Sequence, residues 1–159
     1  AEPMTTGYRL PTEAEWEYCA RLTPRGAKLK YSWGAKFPPS SKSGNFADTS
    51  AKSLLPNTIE GYTDGYPAAA SPGKFPANPL GFFDMGGNVS EWCNDYYEIY
   101  SYDAKKVVAD PTGPKDGSLR VVRGSSWRHA SISTLRLTYR DYSNTKRPDL
   151  GLRICRYAQ

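Results

Sequence analysis

GFFDMGGNVSEWCNDYY, residues 81–97, is the stretch on which the reading of this fold turns. Gly86-Gly87 marks a tight turn, and the residues after it read as a short helical or bent stretch that buries Trp92 and Tyr96. Asn88 and Glu91 place side-chain oxygens close to glycine carbonyls, so the same stretch raises the question of a bound cation.

Upstream lies the clearest local signal, RLPTEAEWEYCARL. Thr12 is a good N-cap, Glu15 completes a capping box three residues later, and Glu13 adds negative charge to the first turn. Trp16, Cys19 and Ala20 share one face. The pattern predicts an amphipathic helix from Glu13 to Leu22, stopped by Pro24 and Gly26.

Between this helix and residue 81 neither the helical nor the strand period persists, and proline, glycine and serine recur throughout. The segment nevertheless carries Tyr31, Trp33, Phe37, Phe46, Tyr62, Tyr66 and Phe75, large groups that disordered segments lack. It reads as ordered loop with core anchors. Asn45 in SGNFAD and Asp64 in YTDGY add oxygen ligands to those of Asn88 and Glu91. Calcium takes six to eight oxygens in irregular geometry, but spacing alone favours ordinary Asx turns and helix caps here, and no EF-hand pattern is present.

Downstream, SLRVVRGSSW reads as a strand in which Leu119, Val121 and Arg123 alternate with Arg120, Val122 and Gly124. DLGLRICRY reads as a closing strand, with Leu150, Leu152 and Ile154 on one side and Gly151, Arg153 and Cys155 on the other. The 4 Trp, 12 Tyr and 5 Phe make 13% of the 159 residues aromatic. With 14 Gly and 13 Pro beside them, they point to one loop-rich domain whose core is carried by aromatics.

The net charge of +5 is spread along the chain, with Lys105-Lys106 and Lys146-Arg147 as its densest pairs, which argues against a nucleic-acid partner. No run approaches the roughly 18 apolar residues of a membrane span, and the first residues, AEPMTTGYRLP, contain no apolar leader core. Cys19, Cys93 and Cys155 are too widely spaced for a zinc knuckle or a redox CxxC pair.

RLPTEAEWEYCAR, YSWG, GNFAD, LGFFDMGGNVSEWCNDYY, RVVRGSSW and LGLRICRY, in that order, resemble the formylglycine-generating enzyme (sulfatase-modifying factor) domain family over residues 8–157. The resemblance implies an α+β, irregular C-type-lectin-like fold. It also implies a single domain over residues 1–159, similar to the C-terminal two-thirds of the family domain, so the missing N-terminal part of that domain is one expected partner. Structural calcium is implied at Asn45, Asp64, Asn88 and Glu91, with the carbonyls of Phe46, Tyr66, Gly87 and Val89 as further ligands. Some secreted members pair a cysteine of the helix with one in the last strand. Cys19 and Cys155 each lie one residue from those positions, leaving a disulfide and two free thiols both open; Cys93 fits a buried small hydrophobe.

In catalytic members, the stretch after the turn at Gly124 carries two cysteines that bind copper and oxidise a substrate cysteine with O₂. Here the corresponding positions are His129 and Thr134. Threonine cannot replace a thiolate for Cu(I), so the resemblance implies a member without that oxidase chemistry and without catalytic residues of its own. A single histidine also cannot supply a three-His iron centre.

Ser126, Trp127 and Arg136 match the family frame, while Arg128, His129, Arg140, Tyr142 and Arg147 are candidates to face a protein or small ligand. His129 reads as a surface or hydrogen-bonding residue whose replacement by alanine leaves folding nearly unchanged. The leading expectation is a non-catalytic, calcium-stabilised binding module, with an extracytoplasmic or secreted location favoured. The alternatives are an enzyme of different chemistry that needs another domain, and a structural subunit of an envelope or signalling assembly.

Overall fold

The computed structural model describes residues 7–100 and 107–157, so the Lys105-Lys106 pair and residues 1–6 of the first stretch lie outside the described residues. One helix and one small sheet form the frame. The helix, α1, spans Glu13–Arg21, and its capping box is complete: Thr12 Oγ1 accepts from the Glu15 N–H, and the Glu15 carboxylate accepts from the Thr12 N–H. Helical geometry ends at Arg21, ahead of the proline; Leu22 is extended, though its N–H still reaches the Tyr18 carbonyl. Trp16 and Ala20 are the apolar residues that α1 buries.

The sheet consists of β1 (Ser90–Tyr96), β2 (Arg120–Arg123), β3 (Arg140–Ser143) and β4 (Leu150–Gly151), in the order β3-β2-β1-β4. β2 runs antiparallel to both β1 and β3, and β4 runs parallel to β1. β1 corrects the expectation of a helical or bent stretch. Its buried residues are Ser90, Glu91, Cys93 and Asp95, whereas Trp92 and Tyr96 are only half-buried. Burial of carboxylates in place of the aromatics erased the pattern by which a strand is recognised.

β2 forms where it was expected, but Val121, Val122 and Arg123 are all buried and no solvent face alternates along it. The last strand is shorter than its sequence suggested. The ladder with β1 stops at Gly151, and the extended residues beyond it turn Leu152 and Ile154 outward, each 61% exposed, while Arg153 and Cys155 pack inward and Cys155 bridges antiparallel to Arg9. Among the described residues no helix is long and apolar enough to cross a membrane. Cys19, Cys93 and Cys155 are free thiols.

Three apolar clusters hold the loops to this frame. The first joins Trp16 and Ala20 of α1 to Met85, Cys93, Val121 and Leu137. The second is aromatic: Tyr31, Phe46 and Tyr62 pack with Ile59 and Leu135, and Trp33 stacks on Tyr31 with ring centroids 4.7 Å apart. The third sets Trp127 against Ala47, Ala51 and Leu55. Of the expected loop anchors, Tyr31, Phe46, Tyr62 and Phe75 are buried and Trp33 and Tyr66 half-buried, but Phe37 is exposed.

Buried charges supplement the apolar contacts. Arg123, fully buried, meets Glu17 at 2.7 Å and Glu13 at 3.3 Å, and donates to the carbonyls of Leu137 and Tyr139. Arg140 grips the same Glu13 with both Nε and Nη2. One helix and two strands therefore share a single ionic knot.

Candidate functional site

Of the four side chains expected to supply calcium with oxygens, Asn45 and Asn88 are hydrogen-bonded to each other. Asn45 is fully buried; its Nδ2 donates to the Ala68 carbonyl at 2.8 Å and to Asn88 Oδ1 at 3.3 Å. Its Oδ1 is buried and accepts no hydrogen bond. Such an atom is rare, because a buried acceptor left unpaired loses its solvation without return. Nearby, the Asp64 carboxylate accepts from the backbone N–H groups of Phe46 and Tyr66. Burial pushes this carboxyl up to about 6, against the pull of those two donors, and the charge of Asp48 adds to the rise. An unpaired amide oxygen and a carboxylate that resists ionisation both suit an oxygen-seeking cation.

Asn88 and Glu91 have further partners. Asn88 adopts φ 63°, donates from Nδ2 to the Ala70 carbonyl and accepts at Oδ1 from the Ala70 N–H. Glu91 accepts from Trp16 Nε1 at 2.7 Å and from Arg153 Nε and Nη2 at 2.6 Å each. The carboxylate already faces a permanent cation. Gly87 is held by a close approach, for a Cβ at its φ of 97° would lie 2.7 Å from the Asn45 carbonyl oxygen. Among the described residues, no group of three or more His, Cys, Asp and Glu side chains is arranged for a metal. Any cation here would depend on amide and carbonyl oxygens besides the Asp64 carboxylate.

Asp48 was not anticipated, yet it organises the loop. Fully buried, it accepts from the N–H and hydroxyl of Ser50, the Thr63 hydroxyl, and the N–H groups of Asp64 and Gly65. Burial works to raise this carboxyl, but the donors outweigh it and hold it below the usual range. Its local signal was the Asx pattern in ADTS, where Asp48 caps the single 3₁₀ turn Thr49–Ala51.

The second group of expected residues surrounds the turn after β2. Ser126, fully buried, donates from Oγ to Asp149 Oδ2 at 2.8 Å, and its N–H donates to His129 Nδ1 at 2.9 Å. A serine, a histidine and an aspartate in one cluster invite comparison with a nucleophile triad, but the connectivity is wrong. The serine sits between the other two and is closed to solvent, and the histidine's accepting nitrogen is spent on a backbone N–H. Burial lowers the affinity of His129 for a proton, against the pull of Asp149 and Asp141. Because Nδ1 accepts from the Ser126 N–H, the tautomer that fits this geometry carries its proton on Nε2.

Thr134 donates from its hydroxyl to the Ser131 carbonyl. The remaining candidates divide. Trp127 belongs to the core and Arg140 to the ionic knot, whereas Arg128, Arg136 and Tyr142 are exposed. Arg128 lies over the Trp127 ring, and Ile132, 53% exposed, crowns the same loop. A groove of about 520 Å³ lies elsewhere, lined by Thr12, Glu15, Tyr18, Cys19, Pro111 and Tyr157 among others, and none of the expected ligand contacts borders it.

His129 is a hydrogen-bonding residue, one of the two roles expected of it, but the bond gives its side chain more to do than the expected neutrality of His129→Ala allows. Its removal strands the buried Ser126 N–H, so His129→Ala should destabilise the fold by about 1–3 kcal/mol, measured as a fall in urea stability. An unchanged urea midpoint would return His129 to the surface class.

The model of the sulfatase-modifying factor enzyme 1-like domain matches residues 1–158. The chain belongs to this family. Within it, the chain is 38% identical to the formylglycine-generating enzyme of Streptomyces coelicolor over 123 residues, which make up 76% of the chain and 36% of that enzyme. It is 35% identical to the serine/threonine-protein kinase pkn1 of Chlamydia caviae over 142 residues, 87% of the chain but 19% of the kinase. Treponema denticola variable protein 1 has a similar structure, with a TM-score of 0.71 at 30% identity over 96% of the chain and 49% of that protein. The chain thus spans from about a fifth to about half the length of these relatives. The family's α+β character is visible in the helix and small mixed sheet.

Proposed function

We propose that the chain is a non-catalytic, calcium-stabilised binding module with a C-type-lectin-like arrangement. The observation that carries this reading is the closed hydrogen bonding of the loop 126–134. At the two positions where the resemblance places copper-binding cysteines, His129 is tied to the Ser126 N–H and Thr134 to the Ser131 carbonyl. Neither residue offers a thiolate, and the exposed side chains of Arg128 and Ile132 in the loop, with Arg136 just beyond it, suit recognition of a partner.

Calcium is assigned to Asn45 Oδ1, the Asp64 carboxylate and the carbonyls of Phe46 and Tyr66, where it would screen Asp64 from Asp48. So small a set of protein ligands fits a weak site of the kind found in extracellular modules, in keeping with a location outside the cytoplasm.

The test is metal content with thermal melting. Purified protein should contain calcium without stoichiometric copper or iron, and its Tm should fall in EGTA and recover with calcium. Asp64→Asn should abolish that response. The pH dependence has a definite sign. With its folded pKa raised from 3.8 to about 6, Asp64 favours the metal-free fold when protonated, and that contribution is lost as pH rises through about 6. Calcium competes with the proton, so the gain in Tm from calcium should shrink as pH falls below about 6. Copper-dependent oxidation of a cysteine peptide by the purified chain would overturn the reading.

A further inference from the structure

The turn that follows β2 is organised around Ser126. Its N–H donates to His129 Nδ1 at 2.9 Å, and its carbonyl accepts from the His129 N–H at 3.0 Å. Its Oγ accepts from the Arg128 N–H at 3.3 Å and donates to Asp149 Oδ2 at 2.8 Å. Ser126 is fully buried, so solvent does not replace a partner that is lost. His129 is the partner in this set whose role reverses on protonation. A neutral imidazole accepts at Nδ1, whereas an imidazolium carries N–H at both nitrogens and accepts at neither. Adding a proton would set two donors against each other across 2.9 Å. The new Nδ1–H has Ser126 Oγ within 3.1 Å, yet turning to it leaves the buried Ser126 N–H without an acceptor.

The surroundings give an imidazolium little to pair with. Two carboxylates face the ring, Asp149 and Asp141, and Arg147 already holds both, at 3.6 Å and 2.8 Å. Arg128 adds a second positive charge on the loop itself. Tyr139 meets the imidazole edge-on with ring centroids 5.9 Å apart, and burial holds its hydroxyl above the ordinary range, so it stays neutral. Burial of the imidazole outweighs the pull of the two carboxylates and sets its pKa below the ordinary 6.5.

We infer that His129 is an acid-operated latch on the turn 125–129: neutral, it holds the Ser126 N–H and keeps Arg128 in place over Trp127; protonated, it releases that N–H and the turn rearranges. The latch needs no metal and holds whatever partner the loop recognises, so it goes beyond the function proposed above. Its sign follows from the lowered pKa. The neutral ring stabilises the turn fully above pH 6.5, and that contribution is lost as pH falls through the folded value.

His129 is the only histidine of the chain, so NMR titration of a histidine ring reports on this residue alone. The ring should titrate with a midpoint below 6.5, and the amide resonances of Ser126 and Arg128 should move with the same midpoint. Hydrogen exchange at the Ser126 amide, corrected for the intrinsic effect of pH, should lose protection about tenfold for each pH unit below that midpoint. Asp64, raised to about 6, titrates in the same range, but its effect falls on the Phe46 and Tyr66 amides that it holds. His129→Asn keeps an acceptor oxygen near the place of Nδ1 and removes the proton site. It should abolish the response at Ser126 and Arg128 and leave that at Phe46 and Tyr66.

A midpoint at or above 6.5 would overturn the inference, as would a ring that titrates while the Ser126 amide stays protected, or an unchanged response in His129→Asn. The first two outcomes are read on the wild type, so they decide the matter even where the variant does not fold.

Discussion

Arg123→Met should lower folding stability by about 3–5 kcal/mol, among the largest effects available to a single substitution here. Methionine preserves much of the side-chain length and its packing beside Trp16, so the loss isolates the charge. Glu13, 7% exposed, would keep Arg140 but lose its second cation, and the carbonyls of Leu137 and Tyr139 would lose a donor in the interior. Arg123→Lys should recover only part of the loss, because an ammonium group cannot span two carboxylates and the carbonyl row at once. Urea denaturation measures both variants. A loss under about 1 kcal/mol for Arg123→Met would mean that the knot is ornamental and that apolar packing alone fixes α1 on the sheet.

Asp48→Ala should be comparably severe, at about 3 kcal/mol or more, for a different reason. No ion pair is broken. Instead the N–H groups of Ser50, Asp64 and Gly65 and the hydroxyl of Thr63 lose a common acceptor, in a loop with no ladder of its own to receive them. Asp48→Asn, which keeps one acceptor oxygen, should cost less than half as much. Equal losses in the two variants would show that the charge, rather than the number of acceptors, sets the loop.

The helix was legible because capping is local: Thr12 and Glu15 carry the signal within four residues. β2 was legible through its paired valines. β1 was not, because Glu91 and Asp95 are buried there, and carboxylates look solvent-facing until their partners are known. Those partners, Arg153 and the Glu13 N–H, are 62 and 82 residues distant.

β3 was hidden for a related reason. RDYS has little strand character of its own and takes its form from the register Val121↔Tyr142 and Val122↔Asp141. At the candidate site, the residue types drew attention to these loops but did not disclose what each side chain touches. Asn45 and Asp64 remain suited to a cation, Glu91 is claimed by an arginine, and Ser126 and Trp127 are framework rather than contact surface. Asp48 could be noticed from its turn pattern, but its reach to residues 63–65 could not.

The ionic knot also bears on how the chain acquires its structure. Arg123 meets Glu17 across 106 residues and Arg140 meets Glu13 across 127, while β1 waits for a parallel partner at Leu150. Such contacts yield nothing until long loops have closed, so early segments emerging during synthesis gain little by ordering alone. Folding should therefore be slow and late. The newly made chain must keep its aromatic loops from wrong partners until the residues around 150 are available, and a cell that produces it in quantity would have to protect it through that interval.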